Sequence, residues 1–427
     1  MFNKRFLPGK IFRRIIFLFF LPLTTLLILY FTDKFIGKFV IKNEMNIENE
    51  FVLPPNSKAL YKNQEFNFTV ETNKIGFRGK NYQIPKSVNT FRILAIGDSF
   101  TYGWGTNNID IWTTLLENKL ANRFKDKKVE IFNIGKPGLS PRDYLENVKN
   151  YTKLYNPNII LVGIVEGDDI GQLTDWPKKR STANPETREV KKKLINTIVN
   201  NQEKKVFYSD EIAKISQIFI RLFPNFHSIV SPYREIDVKP ANLSNLKIFI
   251  NNLGDEEAAR FQTAVKKDVQ SLYLNGSINP VLFTYALFQP DFFTAFLNYR
   301  DSRIKAAISE LTVIIDEINQ IAKDNKSIPI IVDIPYGIFV SEAHMKTSVD
   351  MGFKYAPDAL ISNYPVDMLK QIASNSGITI IDNLKYFREK CSDDCFFNYD
   401  SHLNIKGNRI LADRLEDILI SYINENK

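Results

Sequence analysis

The chain is poor in cysteine and histidine, with two and three respectively in 427 residues. Structural zinc sites need four thiolate or imidazole ligands at short recurring spacings. Cys391 and Cys395, in KCSDDCFF, have no second Cys or His pair to complete one. A GxxxxGK phosphate loop is absent, and the acidic clusters lack calcium-loop spacing, so no cofactor and no metal are expected. Internal repeats and low-complexity tracts are missing as well. With 44% hydrophobic and 24% charged residues, the composition is that of a folded chain long enough for one large domain or two modest ones.

Long apolar runs are scarce too, and the one present is informative. Ile15 to Thr32, IIFLFFLPLTTLLILYFT, is 18 uncharged residues. As a helix it reaches about 27 Å, enough to cross a bilayer. Lys4, Arg5, Lys10, Arg13 and Arg14 precede it and no acidic residue comes before Asp33. That asymmetry predicts a cytoplasmic tail (1–14), a membrane-spanning signal anchor (15–32) and an outward-facing remainder. The alternative is a buried apolar helix. FTDKFIGKFV lacks the small-x-small pattern of a cleaved signal peptide. The net charge of +8 falls to 51 basic against 48 acidic residues once the leader is set aside, too even for a phosphate-binding surface, so no nucleic-acid partner is expected. In an oxidising compartment the two cysteines are read as a Cys391–Cys395 disulfide rather than free thiols.

Residues 33–90 are polar and turn-rich and read as a stalk and N-terminal extension of irregular structure. From Phe91 the pattern becomes short Ile- and Val-rich runs (FRILAIG, VEIFNIG, NIILVGIVEG, IPIIVDIP, GITIIDN) alternating with helical periods. Such runs suit parallel strands buried on both faces, and the alternation predicts a doubly wound α/β domain over 91–427. One helix is predicted after Asp301, with Ile304, Ile308, Leu311, Ile315 and Ile318 at spacings of three and four, and a last helix near Asn404. The stretch 172–323 exceeds any ordinary connection and is read as a mainly helical insertion. Its aromatic part, Asn279 to Asn298, forms a second small core or a lid over substrate or membrane.

Ser99, in FRILAIGDSFTYGWG, follows an apolar run at a predicted strand end, where it is either a nucleophile or a helix cap. A serine nucleophile needs a base, and His402 in NYDSHLNIKGNR is the best placed of the three histidines. Asp400, two residues earlier, falls on the same side of extended backbone and is available to orient the imidazole. His227 and His344 lack such a setting. The strand-end loops NIGKPG, ending at Gly138, and VEGDDI, around Asp168, are candidates for oxyanion donors.

IGDSFTYGWG, NIGKPG, VEGDDI and DSHLN, in that order, resemble the SGNH hydrolases, or GDSL esterase superfamily, over about 180 residues. The resemblance implies a flavodoxin-like three-layer sandwich with a parallel five-stranded sheet. It also implies Ser99 as nucleophile, His402 as base and Asp400 as its orienting partner, with Ser99, Gly138 and Asp168 around the oxyanion. Together with TNKIGFRG and the N-terminal anchor it resembles membrane-tethered bacterial members similar to polysaccharide O-acetyltransferases and esterases. That implies an acylated carbohydrate or other ester as substrate and a single-pass protein of the bacterial inner membrane facing the periplasm or exterior. Two features depart from the family. Asp168 stands where it usually has asparagine, and DSH is one residue shorter than D-x-x-H, a short form similar to that of the polysaccharide-acetylating relatives.

Overall fold

The computed structural model describes residues 23–35, 53–174, 234–236 and 253–425, apart from 275, 279 and 299. Contacts divide the chain into two units, Met1–Glu48 with Lys205–Glu235, and Asn49–Lys204 with Ile236–Lys427. In the first, residues 23–35 are helical, and Leu23, Leu26, Leu27, Ile28, Phe31 and Phe35 are exposed. Among the described residues no helix is long and apolar enough to cross a membrane. The span expected at 15–32 is therefore described only from residue 23 onward; residues 15–22 and the basic tail 1–14 lie outside the described residues.

The second unit holds an antiparallel pair, β1 (Ser57–Lys62) and β2 (Asn67–Glu71). It also holds five parallel strands, β3 (Thr90–Ile96), β4 (Lys128–Asn133), β5 (Ile159–Val165), β6 (Ile328–Ile334) and β7 (Thr379–Ile381). Their spatial order is β4-β3-β5-β6-β7, so the chain starts near the middle, steps one way and then returns to build the other side. That is the doubly wound flavodoxin order, whose reversal between the first and third sheet strands opens a crevice at their carboxyl ends. Every residue of β3 and β5 is buried, as their unbroken Ile, Leu and Val runs require of strands covered on both faces. Helices Trp112–Arg123 and Ile405–Glu425 pack together as one group, and Pro141–Tyr155, Ser302–Asp324 and Tyr364–Ser376 as another.

The long helix Ser302–Asp324 buries Ile304, Leu311, Ile315 and Ile318, the expected stripe, and packs on β6. Although it falls within the stretch assigned to the insertion, it is a layer of the sheet sandwich. The described part of the insertion before it is helical, with Asp255–Thr263, Lys267–Leu274, Pro280–Phe288 and Phe292–Phe296. These do not enclose a second core. Phe283, Leu287, Phe293 and Phe296 are buried in the same cluster as the sheet, and Phe293 packs against Tyr336, Phe339 and Phe353. Helices this short carry too little apolar surface to be stable alone.

The segment expected to be irregular also differs. Its β1–β2 hairpin buries Tyr61, Phe68 and Val70 against Tyr102 and Trp104. Alternation of only five or six residues among polar neighbours hid these strands.

A buried ion pair ties β3 to the edge strand β4. Arg92 on β3 donates from Nε and Nη2 to Glu130 on β4 at 2.8 and 2.6 Å, and from Nη1 to the Tyr155 carbonyl at 2.8 Å, with both side chains of the pair at 0% exposure. Removing one member of such a pair strands the other's charge in the core, at a typical cost of about 3–5 kcal/mol. Lys128 also reaches Glu130, at 2.7 Å, and relieves part of that penalty. Arg92→Ala is therefore expected to lower the unfolding free energy by about 3 kcal/mol in urea titration. A loss below about 1 kcal/mol would show that the pair contributes no more than a surface one.

Candidate active site

At the carboxyl end of β3 the chain turns through Gly97 and Asp98 into a four-residue helix, Ser99–Tyr102. A Cβ on Gly97 would lie 2.1 Å from Thr101 Oγ1, so only glycine permits this tight return. Asp98 Oδ1 accepts from the Phe100 N–H at 2.9 Å and caps the helix, which leaves Ser99 in its first turn. Asp98, rather than Ser99, is thus the capping side chain.

His402 Nε2 lies 2.6 Å from Ser99 Oγ, and Nδ1 on the other side of the ring hydrogen-bonds Asp400 Oδ1. Asp400 Oδ2 accepts from Trp104 Nε1 at 3.3 Å. Three residues expected to act together therefore form one chain of contacts, across 303 positions of sequence between Ser99 and His402. Burial alone would lower the His402 imidazole, but the charge and hydrogen bond of Asp400, backed by Asp98 and Asp168, hold it above its ordinary value. The other histidines are elsewhere. His344 is buried against Phe396, which pushes it down to about 4, and His227 lies outside the described residues.

A cavity of about 250 Å³ opens over Ser99. Gly138 and Asp168 both line it, as do Trp104, Leu282, Tyr285 and Tyr336. Gly138 adopts φ +78°, and a Cβ there would meet nothing within 4 Å. Among the described residues neither the Ser99 nor the Gly138 N–H donates to a protein acceptor. Two main-chain donors thus remain available at the cavity, as an oxyanion site requires.

Asp168 opens the five-residue helix Asp168–Gln172, and its Oδ2 accepts from Gln172 Nε2 at 3.3 Å. Burial pushes its carboxyl up from the ordinary range, while His402 and Gln172 pull it down. Asp98 is raised by burial first and then by the charge of Asp168. Burial thus shifts Asp98 and Asp168 toward their neutral forms, the direction in which an acid becomes able to donate a hydrogen bond.

Sequence reasoning missed Arg78. It is 1% exposed and donates from Nε to Asn108 Oδ1 at 2.8 Å, from Nη1 to the Tyr102 and Gly103 carbonyls at 3.2 and 2.8 Å, and from Nη2 to the Thr106 carbonyl at 2.6 Å. It thereby holds the turn through which the Ser99–Tyr102 helix ends. Nothing in IGFRG distinguishes a buried arginine from a solvated one. Leu282 and Tyr285 were legible only as members of an aromatic stretch.

Cys391 and Cys395 are joined by a disulfide just ahead of the loop that carries Asp400 and His402.

No family model matches the chain, and no curated protein matches it. Solved structures are similar to it over most of their length. The psychrotrophic esterase EstA of Pseudoalteromonas sp. is 10% identical with a TM-score of 0.35, covering 79% of this chain and 99% of its own. A Slackia heliotrinireducens protein assigned as an SGNH hydrolase is 12% identical with a TM-score of 0.35, covering 78% and 100%. The acetyl xylan esterase AlAXEase is 11% identical with a TM-score of 0.34, covering 77% and 98%. At this level of similarity the chemistry is read from the side chains of this chain alone.

A further group of carboxyls predicts the pH response of the fold. Glu166, just after β5, and Asp333, on β6, are fully buried neighbours; burial first, then the charge of Asp333, pushes Glu166 well up, and burial raises Asp333. A raised carboxyl keeps in the fold a proton that the unfolded chain has released above about pH 4, so stability falls as pH rises. His402, raised too, adds to the decline, while His344, held near 4, opposes it only below about pH 6.5. Between pH 6.5 and 8 the melting temperature should therefore fall. Glu166→Gln, which keeps a donor and carries no proton to lose, should flatten the slope by up to about 1.4 kcal/mol per pH unit. A wild-type stability that rises over this interval would contradict the assignment.

Proposed function

We propose that the protein is a serine esterase acting on acyl esters through an acyl-Ser99 intermediate. The observation that carries the reading is the continuous contact from Ser99 Oγ through both ring nitrogens of His402 to Asp400. His402 Nε2 takes the hydroxyl proton as Oγ attacks the ester carbonyl carbon. The carbonyl oxygen becomes an oxyanion facing the N–H groups of Ser99 and Gly138. Collapse expels the alcohol, which receives the proton from His402 Nε2, and leaves the acyl group on Ser99. Water, activated by the same imidazole, then releases the carboxylic acid, and a sugar hydroxyl in place of water makes the reaction an acyl transfer.

The substrate we assign is an O-acyl group of surface carbohydrate, on the resemblance to polysaccharide-modifying esterases and transferases. The basic leader and the apolar run 15–32 support a single-pass anchor in a bacterial inner membrane, with the domain facing the periplasm or exterior. The Cys391–Cys395 disulfide agrees with an oxidising compartment. A second reading, a catalytically silent glycan-binding protein, draws on Asp168, whose ionised form offers no hydrogen to an oxyanion.

The test is labelling of the full-length protein with a fluorophosphonate, read by peptide mass spectrometry. An adduct on Ser99 that vanishes in His402→Ala is expected, and its absence from folded wild-type protein would favour the silent reading. The oxyanion geometry has its own test. Asp168 donates only while protonated and His402 accepts a proton only once neutral, so wild-type turnover should pass through a maximum and fall on the alkaline side, whereas Asp168→Asn donates at every pH. The variant's turnover should exceed wild type on the alkaline side by up to about 100- to 1,000-fold. Equal alkaline turnover in the two would remove Asp168 from the oxyanion site.

A further inference from the structure

Glu65 stands in the turn between β1 and β2, remote in sequence from every residue of the site. Its Oε1 accepts from the Tyr399 N–H at 2.8 Å, and its carboxylate lies against the main chain of the 398–400 turn. The loop so grasped is the one that carries Asp400 and His402. It is a tight turn, closed by bonds from the Phe397 N–H to the His402 carbonyl at 2.9 Å and from the Ser401 N–H to the Phe397 carbonyl at 3.0 Å. Ser401 sits at φ +63°, a left-handed conformation that a non-glycine residue keeps only when its surroundings hold it.

Glu65 is itself firmly placed. Asn63 Oδ1 accepts from the Glu65 and Phe66 N–H groups at 2.8 and 2.9 Å. The Phe66 ring packs edge-on against Trp104 and Phe397, 6.1 and 5.3 Å between centroids. Trp104 in turn donates to Asp400, so the hairpin meets the loop through both a carboxylate and an aromatic wedge. The groups facing Glu65 are Asp400, the Tyr399 phenol and, across the adjoining hollow, the Asp394–Lys406 ion pair. Burial, then the charge of Asp400, pushes its carboxyl up to about 7.

We infer that Glu65 is a positioning residue, which fixes Asp400 against His402 by accepting the Tyr399 main-chain N–H within the 398–400 turn. The inference rests on the esterase reading for its catalytic consequence, but the tie acts on the loop whether or not an ester is cut. A carbonyl oxygen suffices for the task, so glutamine in this position retains it and alanine does not. Without the tie the turn loosens, the Asp400–His402 contact lengthens, and the imidazole loses the interaction that raises it.

The chain has three histidines, which makes His402 observable directly by NMR of the full-length protein labelled with ¹³C-histidine. In Glu65→Ala the His402 titration should move to lower pH and ester turnover should drop about 10- to 100-fold. Glu65→Gln should restore both most of the way. The His344 resonance, buried at a distance from Glu65 in sequence and held near pH 4, should stay put and shows that the core is intact. Should Glu65→Ala fail to fold, Glu65→Asp replaces it, since the shorter arm withdraws the acceptor while keeping the charge. A His402 titration equal to wild type in Glu65→Ala, or loss of the shift in Glu65→Gln to the same extent, overturns the proposal. Fluorophosphonate labelling of wild type separates the two ideas. An unlabelled Ser99 with a His402 titration that still falls in Glu65→Ala defeats the esterase reading and sustains the tie; a labelled Ser99 with an unmoved titration does the reverse.

Discussion

One buried guanidinium governs how the site is assembled. Arg78 carries a charge into a place with almost no solvent, and burial lowers it to about 10. Such a group is tolerated only where its donors are satisfied. Here three of the acceptors are the carbonyls of Tyr102, Gly103 and Thr106, in the turn that ends the helix of Ser99. The last carbonyls of a helix have no partner within it, and a cation at that end meets both the hydrogen-bonding need and the negative pole of the helix. The turn after Ser99 and the segment before β3 are therefore tied to each other through this one side chain.

Seen from this contact, the N-terminal segment is part of the site. Arg78 braces the β3 loop, while Glu65 and the rings of Phe66 and Phe68 brace the loop of Asp400 and His402 and the Trp104 ring between them. The sheet contributes direction. Parallel strands place all their carboxyl ends on one edge, so the loops after β3, β4 and β5 converge there, near the point where the strand order reverses. Ser99, Gly138 and Asp168 arrive from those three loops.

The electrostatics follow from the same crowding. Asp98, Asp168 and Asp400 surround one imidazole, and all three raise it against the cost of burial. Burial raises Asp98 and Asp168 in turn, and the charge of Asp168 raises Asp98 further. A departure such as Asp168 therefore has a definite physical meaning only in its surroundings. In water its carboxyl would keep the ordinary low range; here burial raises it.

The five parallel strands, the helix after Asp301 and the position of Ser99 at a strand end were legible in the residues, because unbroken Ile and Val runs and three-to-four spacings are dictated by the burial each element must achieve. The Asp400–His402 pair was legible because two positions apart on extended backbone is a local relation. The β1–β2 hairpin, Arg78 and Glu65 were not, since their partners lie far off in sequence and a charged residue carries no local mark of what will surround it. By itself the sequence determined the strands of the parallel sheet, the long helix after Asp301 and which few side chains could do chemistry. Tertiary structure alone decided that Ser99 meets His402, that the aromatic helices join the main core and line the cavity, and that burial raises the site's aspartates, because each depends on distance and solvent access rather than on residue type.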